Sequence, residues 1–151
     1  MGTPAIAATQ TATVTANANK PLILTKLQDL DLGTVTLGSG TWNNATVTIS
    51  QAGAFSCTNA NTVCTGVTAV AKYNVQGSNG QTVHISAPNV TMINQNDSTK
   101  TLTLLTNAPA SVLLTNSGHP GLDFAIGGSI TLSSTTAAGT YVGTFNVTVD
   151  Y

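Results

Sequence analysis

Three observations predict an all-β domain, a sandwich or barrel of short antiparallel strands. Threonine and valine dominate stretches in which apolar and polar residues alternate with a period of two, putting every second side chain on one face of a strand. Gly, Asn, Ser and Pro break these stretches at short intervals, as turns between strands require. Helix signals are nearly absent, which excludes the crossover helices of a parallel α/β sheet.

Along the chain, Ala5–Ala18 alternates first. Ile6, Ala8, Ala12, Val14, Ala16 and Ala18 fall on one face, with Gln10 the single polar interruption, and the threonines fall on the other. A strand that can hold a place in a core begins at Pro21-Leu22, so residues 1–20 read as an extension and 21–151 as one domain. Val47 and Ile49 mark the next strand. From Gly66, the residues Val67, Ala69, Ala71, Tyr73 and Val75 place their apolar side chains on one face. Asn79-Gly80 then predicts a hairpin turn into a return strand, Gln81–Ala87. Leu102 with Leu104, and Val112 with Leu114, mark two more. Leu122, Phe124 and Ile126 precede Gly127-Gly128, and Ile130 and Leu132 follow, which predicts a bulge or bend between two strand pieces. The final run alternates to its last residue, with Tyr141, Phe145, Val147, Val149 and Tyr151 on one face; a terminus this regular is normally held in a sheet.

Composition narrows the partners. Only 6% of the 151 residues are charged, against roughly a quarter in ordinary globular domains, and arginine and glutamate are absent. The surface must therefore be built from hydroxyls and amides, which salt and pH affect little. Four scattered lysines cannot form the basic cluster that nucleic acid requires. No apolar run is long enough to span a bilayer, and no amphipathic basic helix suggests a membrane surface. The N-terminus lacks the pattern of a signal peptide and is read as a mature or recombinant start from which any export signal has been removed. Cys57 and Cys64 bracket a short polar loop with no further metal ligand nearby, so the expectation is a local structural disulfide formed in an oxidising compartment.

Enzymatic chemistry finds few residues to use, and neither catalytic, cofactor-binding nor metal-ligating residues are expected. Asp29 and Asp31 point the same way on a strand, which a solvated face explains better than a carboxylate pair. His84 alternates outward between Val83 and Ile85, and His119 lies in the turn Ser117–Gly121, with no nucleophile-elbow pattern present. Trp42, in a polar turn, is the one candidate for a carbohydrate-facing aromatic, with a lid on the end of the sandwich as its structural role. Four Asn-x-Ser/Thr matches, at Asn44, Asn89, Asn96 and Asn146, are unsurprising in so Asn- and Thr-rich a chain.

Leu30-Asp31-Leu32-Gly33-Thr34-Val35 and the closing patterns Phe124–Leu132 and Ala138–Tyr151 resemble a group of secreted bacterial domains of unknown function allied to spore-coat-U-like and other chaperone–usher fimbrial subunits. The resemblance covers roughly Leu22 to Tyr151 and is most specific at the C-terminal stretch. It implies a pilin-type, immunoglobulin-like sandwich left incomplete and completed by an N-terminal donor strand from a neighbour. On that reading Ile6, Ala8, Ala12, Val14, Ala16 and Ala18 form the donor face. Leu22, Leu24, Tyr141, Phe145, Val147, Val149 and Tyr151 form the acceptor groove. The implied protein is a pilus subunit at the cell surface, used for adhesion or biofilm and exported through the periplasm. Its partners are identical subunits head to tail, a periplasmic chaperone and an outer-membrane usher. The alternative is a monomeric, self-complemented module that binds carbohydrate or another surface.

Overall fold

Alternating apolar residues build strands throughout the chain from Ile23 onward, and the computed structural model, which describes residues 2–151, shows where each one pairs. The strands are β1 (Ile23–Gln28), β2 (Thr34–Leu37), β3 (Ala45–Ile49), β4 (Phe55–Ser56), β5 (Thr62–Thr65), β6 (Ala71–Gln76) and β7 (Thr82–Ser86). They continue as β8 (Val90–Asn94), β9 (Thr101–Asn107), β10 (Ser111–Leu113), β11 (Leu122–Leu132), β12 (Tyr141–Val142) and β13 (Thr148–Asp150). Every ladder is antiparallel, and there is no helix among the described residues. The largest sheet runs β1-β6-β11-β9-β8-β12, with β3 also on β11 and β4 on β3. A second sheet runs β10-β7-β13, and β2 pairs with β5. These curled sheets are consistent with a β-sandwich.

The core has two parts. In the lower half, Ala71, Tyr73 and Val75 of β6 and Phe124 and Ile126 of β11 meet Val83 and Ile85 of β7 and the buried Leu114. In the upper half, Ala45 and Val47 of β3, Val90 of β8, Leu104 of β9, and Ile130 and Leu132 of β11 form the second cluster. β11 serves both. Its first half, Leu122–Ile126, pairs with β6, and its second half, Gly128–Leu132, pairs with β3, while Gly127–Ser129 pairs with β9.

The change of partner explains the two glycines. The expected break into two pieces does not occur, for one eleven-residue strand runs through. A Cβ on Gly127 would overlap the Ile49 carbonyl oxygen, and one on Gly128 would come 2.9 Å from the Leu104 Cδ1. The pair therefore lets β3 and β9 close in on β11 from both edges.

Two other expectations are corrected. Val67 lies outside its predicted strand and is 83% exposed, because β6 starts only at Ala71 and the bridge of Asp31 to Ala69 takes up the chain before it. Asn79-Gly80 does make a turn, but β6 and β7 do not pair. The turn's backbone is bound instead by the chain after β10: the Gly80 N–H donates to the Leu114 carbonyl (2.7 Å) and the Asn79 N–H to the Ser117 hydroxyl (2.9 Å). The connection thus crosses from one sheet to the other.

An open groove as candidate functional site

Residues 2–20 form no strand and are exposed, with Ile6 and Val14 each 91% exposed. The folded body takes over at the lower pole through a clasp. The Lys20 N–H donates to the Ser78 hydroxyl (2.6 Å), the Ser78 N–H donates to the Tyr151 hydroxyl (2.9 Å), and that hydroxyl donates to the Lys20 carbonyl (2.5 Å). Gly77 makes room for this clasp, since a Cβ there would come 2.5 Å from the Tyr151 hydroxyl.

From the clasp, the first and last segments of the domain run on different sheets, β1 on β6 and β13 on β7. Near the clasp they close over the lower core: Leu22 and Leu24 from one, and Val147 and Val149 from the other, pack on it. Higher up they part. Between Asp29–Leu37 and Thr136–Phe145 lies an open groove of about 1050 Å³, floored by Val90, Met92, Leu102, Leu104, Ile130 and Leu132. Tyr141 and Phe145 line it, as do Leu30, Leu32, Val35 and Leu37 on the opposite lip.

Each lip is fixed from outside. On one, Asp31 exchanges two backbone bonds with Ala69 (2.8 and 2.9 Å), and its carboxylate accepts the Gly33 N–H (2.8 Å). β2 is held by β5, which carries Cys64 of the Cys57–Cys64 disulfide (Cα–Cα 6.2 Å). On the other, Asn94, only 1% exposed, donates its amide to the Ala138 carbonyl (3.0 Å), and the Gln95 N–H donates to that of Thr140 (2.8 Å). The Tyr141 hydroxyl donates to the Ala137 carbonyl (2.7 Å). The lips are therefore held apart rather than collapsed on each other.

Free strand edges border the groove at β2 and β12 and continue below it at β1 and β13. β1 and β12 end the large sheet, β13 ends the second, and β2 has a partner on β5 alone. Such free edges pair readily with an added strand. Charge is sparse: Lys26 and Asp29 form an exposed ion pair (2.7 Å) at the lower end, which holds the Lys26 ammonium above its usual pKa. Burial pushes the Tyr73 hydroxyl up as well, so it stays neutral.

The other sequence candidates lie apart from one another. Asp29 is taken by Lys26 and Asp31 by the Gly33 N–H, so they form no shared acid pair. His84 is exposed on β7, opposite Ser111 and Asp150, and His119 is exposed in its turn. Among the described residues, no three His, Cys, Asp or Glu side chains converge as a metal site would need, and no helix is long and apolar enough to cross a membrane. Trp42 packs on the upper core, its indole N–H donating to the Gly38 carbonyl (3.0 Å). The disulfide fits an oxidising, extracytoplasmic compartment.

Of the residues expected to wall a groove, Tyr141 and Phe145 line the open part, while Leu22, Leu24, Val147 and Val149 close the lower core and Tyr151 makes the clasp. Sequence reasoning missed the lip Leu30, Leu32, Val35 and Leu37, although its alternation was visible in Leu30-Asp31-Leu32 and Val35-Thr36-Leu37.

Residues 22–151 match the family model described as a domain of unknown function, DUF4402. The chain belongs to the DUF4402 family. The DUF4402 match begins at Leu22, immediately after the clasp residue and Pro21, so the exposed segment lies outside it. Beyond the DUF4402 model, no curated protein and no solved structure matches the chain.

Proposed function

We propose that this protein is a structural subunit of a bacterial surface fibre, an immunoglobulin-like, pilin-type domain that polymerises by donor-strand exchange. One observation carries the proposal: the same chain holds an open apolar groove with free strand edges and an exposed segment whose alternating small residues suit it. An uncovered groove of this kind is an aggregation hazard, and an added strand covers it with main-chain bonds and a side chain at every second residue. The segment lies exposed outside the groove, with its first anchor to the body at Lys20, which leaves it available to a neighbour's groove. A contact between unlike surfaces does not close on itself, so it yields a filament. Such a subunit would travel through the periplasm with a chaperone covering the groove, meet an usher at the outer membrane, and serve adhesion or biofilm.

Mixing subunits carrying Val14→Cys with subunits carrying Leu37→Cys, a half-buried residue of the groove's lip, tests this. Crosslinks between chains, with filaments in negative stain, are the expected outcome. Crosslinks confined within single chains, on monomeric particles, would establish self-completion and end the fibre reading.

A further inference from the structure

Asn79-Gly80 is the single Asn-Gly pair in the chain, and it lies exposed at the lower pole, in the turn between β6 and β7. The pair carries a reactive chemistry as well as a turn preference. A backbone nitrogen that follows an asparagine can attack that residue's side-chain carbonyl carbon, and glycine obstructs the approach least because it has no Cβ. In this step the Gly80 N–H loses its proton to solvent and a new C–N bond to the Asn79 Cγ closes a succinimide ring. The side-chain nitrogen leaves as ammonia. Water then opens the ring at either carbonyl, giving aspartate or isoaspartate and one new negative charge.

The turn keeps the attacking nitrogen occupied. The Gly80 N–H donates to the Leu114 carbonyl (2.7 Å), and the Leu114 N–H donates back to the Gln81 carbonyl (2.9 Å). Leu114 is 1% exposed, so this acceptor is anchored in the lower core and does not follow the turn outward. The Gln81 N–H closes the turn on the Ser78 carbonyl (3.3 Å), with Gly80 at φ 77°, as the third residue of a type II turn requires. Two side chains brace the turn from outside. The Ser117 hydroxyl accepts the Asn79 N–H (2.9 Å), and the Tyr151 hydroxyl of the clasp accepts the Ser78 N–H (2.9 Å). We propose that Asn79 is a modification site gated by this clasp. Its carboxamide converts to aspartate and isoaspartate only through local openings that free Gly80 from Leu114, and Ser117 and Tyr151 set how often these occur. The conversion is one-way, because isoaspartate adds a methylene to the main chain and cannot rebuild the same four-residue turn. The site therefore records openings of the pole that anchors the N-terminal segment.

The test compares native protein with the same protein unfolded in denaturant, both held at mildly alkaline pH. Mass spectrometry follows the peptide between Lys72 and Lys100, with isoaspartate resolved by chromatography. In the unfolded chain Asn79 should convert ahead of Asn74, Asn89, Asn94 and Asn96 in the same peptide, each of which precedes a bulkier residue. In the native protein Asn79 should convert slower by roughly tenfold or more, since the reaction waits on opening. Ser117→Ala and Tyr151→Phe should each speed the native reaction about fivefold, the worth of one hydrogen bond, and leave the unfolded rate unchanged. Equal rates in native and unfolded protein would overturn the protection. A native rate that ignores either substitution would overturn the gate.

Discussion

In the lower half of the fold, Val75, Val83 and Ile126 are wholly buried, and half-buried Leu22, Leu24, Val147 and Val149 from the first and last segments pack on the core. In the upper half Ala45 and Val47 are wholly buried too, and Val35, Leu37, Met92, Leu102, Tyr141 and Phe145 are half-buried in their turn, but around an open groove. Hydrophobicity does not separate the halves. What separates them is a missing layer of side chains between lips whose positions are fixed by Asn94, the Asp31–Ala69 bridge and the β2–β5 ladder. The lower core is packed by the first and last segments of its own chain, while the upper half stays open between its lips.

The largest expected effect falls on the open half through a residue that touches nothing in the subunit. Val14→Asp should leave the melting temperature of the free subunit unchanged, because Val14 is 91% exposed. In the proposed fibre it would bury a lone carboxylate, costing several kcal/mol or forcing protonation. Fibre dissociation in denaturant compared with subunit unfolding would reveal the asymmetry, and equal effects on both would break the distinction between halves.

Truncating the floor sharpens it from the other side. Ile126→Ala, in the closed half, should cost the subunit about 2–5 kcal/mol by cavity formation. Leu102→Ala, in the open half, should cost the free subunit well below that range, because its side chain is only half-buried. Its deficit should appear in the fibre. Urea unfolding of both variants, free and assembled, checks the pattern.

Smaller effects test the supports. Replacing Cys57 and Cys64 by serine should lower subunit stability by about 2–3 kcal/mol on the chain-entropy view of a short loop. Because the disulfide lies behind β2, the loss should loosen the groove's lip, seen as faster amide exchange over Thr34–Leu37. Tyr151→Phe should cost about 1 kcal/mol for the clasp hydrogen bonds, with faster exchange confined to the lower pole around Ser78. Thr13→Asp, on the opposite face from Val14, should stay within about ±0.5 kcal/mol in subunit and fibre alike.

Much of this architecture was legible in the sequence, because period-two alternation reports strands directly. The strands at Val47, Leu102, Val112 and Leu122 and the inward faces of β6 and β7 follow from it, but the final run does not stay one strand: β12 pairs with β8 and β13 with β7, residues 143–147 lie outside any strand, and Tyr151 is exposed. Pairing was less legible. Asn79-Gly80 has the local chemistry of a hairpin, but whether two consecutive strands share a sheet depends on contacts far along the chain, here with Leu114 and Ser117. The double glycine was legible as an irregularity and not as a crossing point, since the crowding comes from Ile49 and Leu104. The groove was hardest to read. Whether a half-apolar strand such as Val35-Thr36-Leu37 lies under a neighbour or at an opening is decided by what is absent opposite it, and alternation is silent on that.

The clasp at Lys20 has a mechanical consequence. A pull on the N-terminal segment reaches the folded body at Lys20, where the backbone is tied on one side to Ser78 and on the other to the side chain of the last residue. The load is thereby divided at its point of entry between the two ends of the chain. Along β1 it runs parallel to the strand and loads the rungs to β6, Ile23–Gln76 through Gln28–Lys72, together rather than one after another. Through Tyr151 it passes into β13 and the rungs to β7, on the other sheet. A body loaded through both sheets in shear resists tension far better than one peeled from a single edge, and a force-ramp experiment on Tyr151→Phe would register the difference as an earlier rupture.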